Sequence, residues 1–175
     1  MSTSDPVASH AASPTVVPAL YVSHGAPLFA VDAGETGPAL TRWGQGLRAQ
    51  FPVLRGVVIM SPHWMARTPQ VMTSAQPATW HDFGGFPPAL YQLQYPAPGA
   101  PALAQEVLAL LQAAGVAAQG DAGRPFDHGA WVPLMHCSQR PTCRWCKWRC
   151  PWALAPPRSM PWAPRCAACA ARACW

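Results

Sequence analysis

The run Val57-Val58-Ile59-Met60 ends abruptly at Ser61-Pro62-His63-Trp64, and that junction limits what the chain can fold into. Four consecutive apolar residues, three of them β-branched, read as a strand covered on both faces, and Pro62 takes the backbone out of regular pairing just before His63. His63 is therefore expected at the C-terminal mouth of a central strand. Ala19-Leu20-Tyr21-Val22 repeats the pattern and ends at Ser23-His24-Gly25-Ala26-Pro27. In open α/β sheets, ligands gather beyond the carboxyl ends of the strands, so His24 and His63 are expected to converge there. Two imidazoles at one point suggest a metal.

Between these strands, the stretch from Phe29 to Pro38 reads as a loop. Leu40, Trp43, Leu47 and Phe51 then fall at helical spacing, and Pro52 ends the pattern. The order strand, loop, helix, strand is the start of a βαβ unit with parallel strands. Further on, Gln70 to Ser74 reads as a short strand, and Thr79 to Pro87 as an aromatic loop turned by Gly84-Gly85. An extended stretch from Tyr91 to Pro98 leads to a helix over Ala100 to Gly115, with Leu103, Val107, Leu110 and Leu111 on one stripe and Gly115 as its stop. Phe126-Asp127-His128-Gly129 opens an aromatic and apolar run to His136. His128, preceded by an acid and followed by glycine, is a third candidate for the same crevice.

Composition supports one folded unit: the 175 residues are 50% hydrophobic and 11% charged. No stretch approaches the roughly 20 apolar residues of a membrane span, and the N-terminus lacks a secretory pattern, so a cytoplasmic location is expected. Residues 1–17 are small, polar and proline-punctuated, a flexible leader in this reading. The net charge of +5 does not imply a nucleic-acid or membrane partner once it is divided at His136. Residues 1–136 hold five arginines against all seven acids, whereas residues 137–175 hold seven basic residues and no acid. All seven cysteines and five of the nine tryptophans also lie in that tail.

The segments Ser23-His24-Gly25, Ser61-Pro62-His63-Trp64, His81-Asp82-Phe83-Gly84-Gly85-Phe86-Pro87, Tyr95-Pro96-Ala97-Pro98-Gly99 and Phe126-Asp127-His128-Gly129-Ala130-Trp131 together resemble the class III extradiol ring-cleavage dioxygenases, in their 4,5-DOPA branch. The resemblance covers residues 18–136. It implies an α/β fold with non-haem Fe(II), or zinc in some members, at the strand mouths. It also implies His24 and His63 as metal ligands, His128 as the acid/base group, and His81, Asp82 and Phe83 in the substrate-binding loop. The implied partners are a catechol-type substrate and O2, with both oxygen atoms entering a ring-opened semialdehyde. The family's further metal ligands come from a later part of the chain that has no counterpart here. A truncated chain with little or no turnover is therefore expected.

The tail has its own explanation. Cys and Trp codons both begin with TG, so a reading frame that starts on the third base of the preceding codon turns each of them into Leu, Met or Val. Permitted codons from Cys137 onward then read FPAPDVPVVQVAVPV, a strand in which Cys143, Trp145, Cys146, Trp148, Cys150 and Trp152 all become valine. The expectation is that a single-base slip near codons 136 and 137 produced residues 137–175, which then carry no selected function. Resequencing the gene across that point reads this directly. The fold class expected is accordingly α/β, the amino-terminal half of a mostly parallel sheet flanked by helices, followed by an irregular non-native tail.

Two other readings compete. Cys143, Cys146, Cys166 and Cys169 have a zinc-ribbon spacing, which would make the chain a zinc-binding module. A hydrolytic or proton-transfer enzyme using zinc on His24, His63 and His128 is the other, and oxygen uptake with a catechol separates it from the dioxygenase.

Overall fold

A computed structural model of the chain describes residues 16–138 and the strand at 145–148. The architecture is α/β, with helices on both faces of a small sheet. A short 3-10 turn at Pro27–Ala30 leads into α1 (Thr36–Gln50). Then follow β1 (Val57–Met60), β2 (Gln70–Met72), a second 3-10 turn at Pro88–Gln92, α2 (Pro101–Ala113) and β3 (Gln119–Asp121). The last described elements are α3 (His128–Cys137) and β4 (Trp145–Trp148).

The sheet order is β1-β4-β2-β3. β1 pairs with β4 and β2 with β3 in parallel, while β2 meets β4 antiparallel at Val71 and Trp148. Successive strand residues face opposite ways, and β2 shows the consequence. Met72 packs with Trp64, Phe126, Trp131 and Val132 on the α3 side, whereas Val71 packs with Ala100, Ala104 and Leu111 of the α2 side. Two cores, one on each face, hold the layers together.

α2 ends as its sequence requires. Gly115 takes a positive φ of 74°, and the amides of Gly115 and Val116 bond back to the carbonyls of Gln112 and Leu111. Within α2 the buried stripe differs from expectation: Ala104 is fully enclosed, while Leu110 faces solvent. α1 lies against α3 and satisfies carbonyls at its C-terminal end. Thr41 Oγ1 donates to His136 O at 2.9 Å, and Arg48 Nη1 donates to Cys137 O at 3.2 Å.

Three further expectations are corrected. Residues 19–22 form no strand, and Leu20 and Tyr21 are exposed, because no described strand lies alongside to take up their backbone groups. Among the described strands β1 stands at the edge rather than the centre, and no described element covers its second face. Val57 and Ile59 meet the α3 core, but Val58 and Met60 are exposed because α2 spans β2, β3 and β4. The run from Phe126 to His136, expected as a loop and apolar run, is largely helical and buried, with Pro133 inside it.

Four residues of the tail form β4, inside the stretch that reads as a valine strand in the shifted frame. Main-chain pairing accepts almost any residue except proline, so this placement does not distinguish the two frames. The remaining tail positions, and the leader through residue 15, lie outside the described residues. Among the described residues, no helix is long and apolar enough to cross a membrane.

Candidate metal centre

Three histidines from separate parts of the chain meet at one point. His24 follows the extended N-terminal segment at a turn where Gly25 takes a φ of 64°. His63 leaves β1 through a turn in which its amide donates to Ser61 Oγ at 3.2 Å. His128 is the first residue of α3, set in place by the N-cap Asp127, whose side chain accepts from the Ala130 amide. The Nε2 atoms of His24 and His63 stand 3.3 Å apart. One ring nitrogen from each of the three histidines falls within 4.8 Å of the others.

This arrangement fits a metal ion. Two imidazole nitrogens on a tetrahedral ion with bonds of about 2.0–2.1 Å are separated by about 3.3–3.4 Å, the spacing that His24 and His63 already have. Among the described residues His24 Nδ1 is buried without a hydrogen-bond partner, and its ring stands edge-on to those of His63 and His128. Burial lowers the His63 pKa, reinforced by His128 and His24 and opposed by Asp82 and Asp127. The neutral imidazole that results is the form that ligates a metal.

Beneath the rings lies a charged network that the sequence pattern did not single out. Asp127 is fully buried and accepts from Ser61 Oγ and, at 2.9 Å, from Arg124 Nη2. The same Arg124 nitrogen donates to His63 O at 3.2 Å, and its guanidinium lies over the rings of Trp64 and Trp80, 5.0 and 4.8 Å from their centroids. Trp131 Nε1 donates to Trp80 O. The available signal was Asp127 immediately ahead of an apolar run, an N-cap residue type that marks a helix start.

The loop residues separate into different surroundings. His81 Nε2 donates to Leu93 O at 2.9 Å, and its ring meets Tyr91 and Trp131, which anchors the loop. Phe83 stands edge-on to His128 with ring centroids 5.4 Å apart, backed by Phe86 and Tyr91. Asp82 contacts two of the three histidines: its Oδ1 accepts from the His128 amide and lies 2.9 Å from His128 Nδ1, while its Oδ2 is 3.4 Å from His63 Nδ1. Of the zinc-ribbon cysteines, Cys143, Cys166 and Cys169 lie outside the described residues, and Cys146 is described by its backbone alone.

The chain has relatives among known proteins. Residues 18–158 match the family described as the catalytic LigB subunit of aromatic ring-opening dioxygenase. The chain is 42% identical over 123 residues to the 4,5-DOPA dioxygenase extradiol of Escherichia coli strain K12, covering 70% of this chain and 44% of that protein. Identity to the 4,5-DOPA dioxygenase extradiol of Beta vulgaris is 38% over 117 residues, covering 66% of this chain and 43% of the other. A crystal structure of an uncharacterized protein from Escherichia coli K12 is 30% identical, with a TM-score of 0.45, covering 62% of this chain and 38% of that one. The chain thus spans less than half the length of the curated relatives it matches.

Proposed function

Because the chain belongs to the family of the catalytic LigB subunit of aromatic ring-opening dioxygenases, we propose that its three-histidine cluster is the metal site of an extradiol dioxygenase acting on a catechol and O2. The single observation that carries this reading is the 3.3 Å approach of His24 Nε2 to His63 Nε2, with a ring nitrogen of His128 close by. His24 and His63 are the proposed ligands. Fe(II) is the proposed ion, since it accepts imidazole and leaves open positions, and zinc is the alternative occupant. When bound, the metal supplies a Lewis-acidic centre that holds the diol and the oxygen together.

The chain's own residues prepare the rest. With Nδ1 turned to Asp82, His128 presents Nε2 to take the proton of a catechol hydroxyl. Phe83 offers a ring edge beside His128, suited to an aromatic substrate. A DOPA-like or small substituted catechol is the proposed substrate class, in keeping with the names of the relatives. Both atoms of O2 enter the ring-opened product.

Turnover is expected to be weak. A catalytic metal normally takes about three protein ligands, and the described cluster has three imidazoles in all. If His128 completes the coordination it no longer serves as the base, and if it serves as the base the ion keeps two ligands. The scale of a general base, about 10²–10⁴-fold, sets the deficit expected relative to the longer relatives. The test is anaerobic loading of the 175-residue chain with Fe(II), followed by catechol or DOPA and measurement of oxygen consumption and semialdehyde absorbance. Binding of one metal ion, lost in both His24→Ala and His63→Ala, with slow oxygen uptake is the expected result. Metal bound equally well by both variants would refute the assignment.

A further inference from the structure

We infer that Asp82 is a positioning residue that sets the tautomers of His63 and His128 together, so that both rings offer Nε2 to the same point. The inference rests on the metal-site reading above and assigns Asp82 a role other than substrate contact.

The placement of Asp82 is built into the backbone. Thr79 and Phe126 form a parallel bridge, in which the Trp80 amide donates to Phe126 O and the Phe126 amide to Ala78 O. Asp82 lies three residues beyond one side of that bridge and His128 two residues beyond the other, so the pairing brings the carboxylate to the start of α3. There Oδ1 accepts from the His128 amide at 2.8 Å and faces His128 Nδ1 at 2.9 Å. The amide bond fixes the carboxylate at the helix N-terminus, where a negative charge is favoured. Its second oxygen is then turned to His63 Nδ1 at 3.4 Å. The side chains of Asp82 and His128 are 9% and 5% exposed, so water competes little for their contact, while His63 is 30% exposed.

The chemistry follows from the donor inventory. An ionised carboxylate only accepts, so a neutral imidazole facing it carries its proton on Nδ1 and leaves a lone pair on Nε2. One acid therefore prepares two rings. Outer partners of this kind orient metal-binding histidines, and their loss typically costs about 10–100-fold in metal affinity.

The test begins with the metal-free, ¹⁵N-labelled full chain, using long-range proton–nitrogen correlation of the imidazoles at a mildly alkaline pH. Both His63 and His128 are expected as Nδ1–H tautomers. Asp82→Asn keeps the shape and an oxygen for the His128 amide, but its NH2 group is a donor and forces at least one ring into the Nε2–H form. Cobalt(II) affinity is expected to fall about 10–100-fold with the thermal midpoint close to that of the parent chain. Nε2–H tautomers at His63 and His128 in the parent chain overturn the inference, as do unchanged tautomers and affinity in Asp82→Asn. If Asp82→Asn fails to fold, the parent spectrum decides alone. If the parent shows both Nδ1–H tautomers but binds no cobalt, the metal reading fails and the assignment of Asp82 stands.

Discussion

Gly129 lies so close to His63 that a Cβ built on it would stand 2.6 Å from the imidazole Cδ2 and 2.6 Å from Ser61 Oγ. The first turn of α3 can therefore approach the end of β1 only because residue 129 has no side chain. Gly129→Ala is expected to push His63 away from His24, cost about 1–3 kcal/mol through overpacking, and weaken cobalt binding. Paired urea melts and cobalt titrations check this, and a variant with parent-like affinity would show that the approach is not needed.

Much of this centre was legible in the sequence, and the illegible part has physical causes. Proline and glycine beside His24, His63 and His128 marked breaks in regular structure, and breaks at strand and helix ends are where side chains converge. α3 was missed as a helix because a segment buried on every side has no polar face, so it shows no periodicity, and Pro133 argues against a helix. The partnership of Asp82 with His63 and His128 depends on residues far apart in the chain, which local pattern does not encode. Residues 19–22 misled because an apolar run signals burial only if another element arrives to cover it, and here Tyr21 is 80% exposed.

Asp127 has no exposure and is held by Ser61 and Arg124. Removing one member of a buried ion pair strands the other, at a typical cost of about 3–5 kcal/mol. Arg124→Leu is therefore expected to destabilise the chain by that order and to remove the cation over Trp64 and Trp80, with a change in tryptophan fluorescence of the folded state. A urea midpoint within error of the parent would show that the pair contributes nothing net.

Gly44 and Gly46 sit on the same helix, α1, with opposite surroundings. A Cβ at Gly44 would lie 2.0 Å from the Cys137 carbonyl oxygen, whereas one at Gly46 meets nothing within 4 Å. Helix propensity alone favours alanine over glycine by about 0.8–1.0 kcal/mol, so Gly46→Ala should raise the thermal midpoint. Gly44→Ala should lower it by forcing α1 away from α3. Equal effects of the two substitutions would mean that the α1–α3 contact is looser than the structure indicates.

Cys137 supplies a pH prediction. Burial raises its thiol pKa from 9.0 to about 11, against a lowering effect of Arg48. Between those values the unfolded chain has lost the proton and the folded chain keeps it, so the folded state binds more protons and stability falls as pH rises. The contribution is fully present below about pH 9 and lost toward pH 11. Urea midpoints across that range should fall more steeply for the parent than for Cys137→Ser, and parallel slopes would show that the thiol titrates normally.

The last prediction concerns β4, which has a neighbour on each side, β1 and β2. A strand in that position, within a sheet that carries helices on both faces, is favoured by a continuous apolar run. Trp145-Cys146-Lys147-Trp148 departs from this, since Lys147, paired in register with Ile59, places a charge within the strand. The shifted-frame sequence has valine at positions 145, 146 and 148 and an uncharged glutamine in place of the lysine, which is closer to such a run. Replacing residues 138–152 by FPAPDVPVVQVAVPV should therefore raise the urea midpoint and reduce aggregation, as judged by light scattering during refolding. A midpoint equal to or below that of the parent would show that the present tail suits the sheet as well as its shifted counterpart, and the account of its origin would lose its physical support.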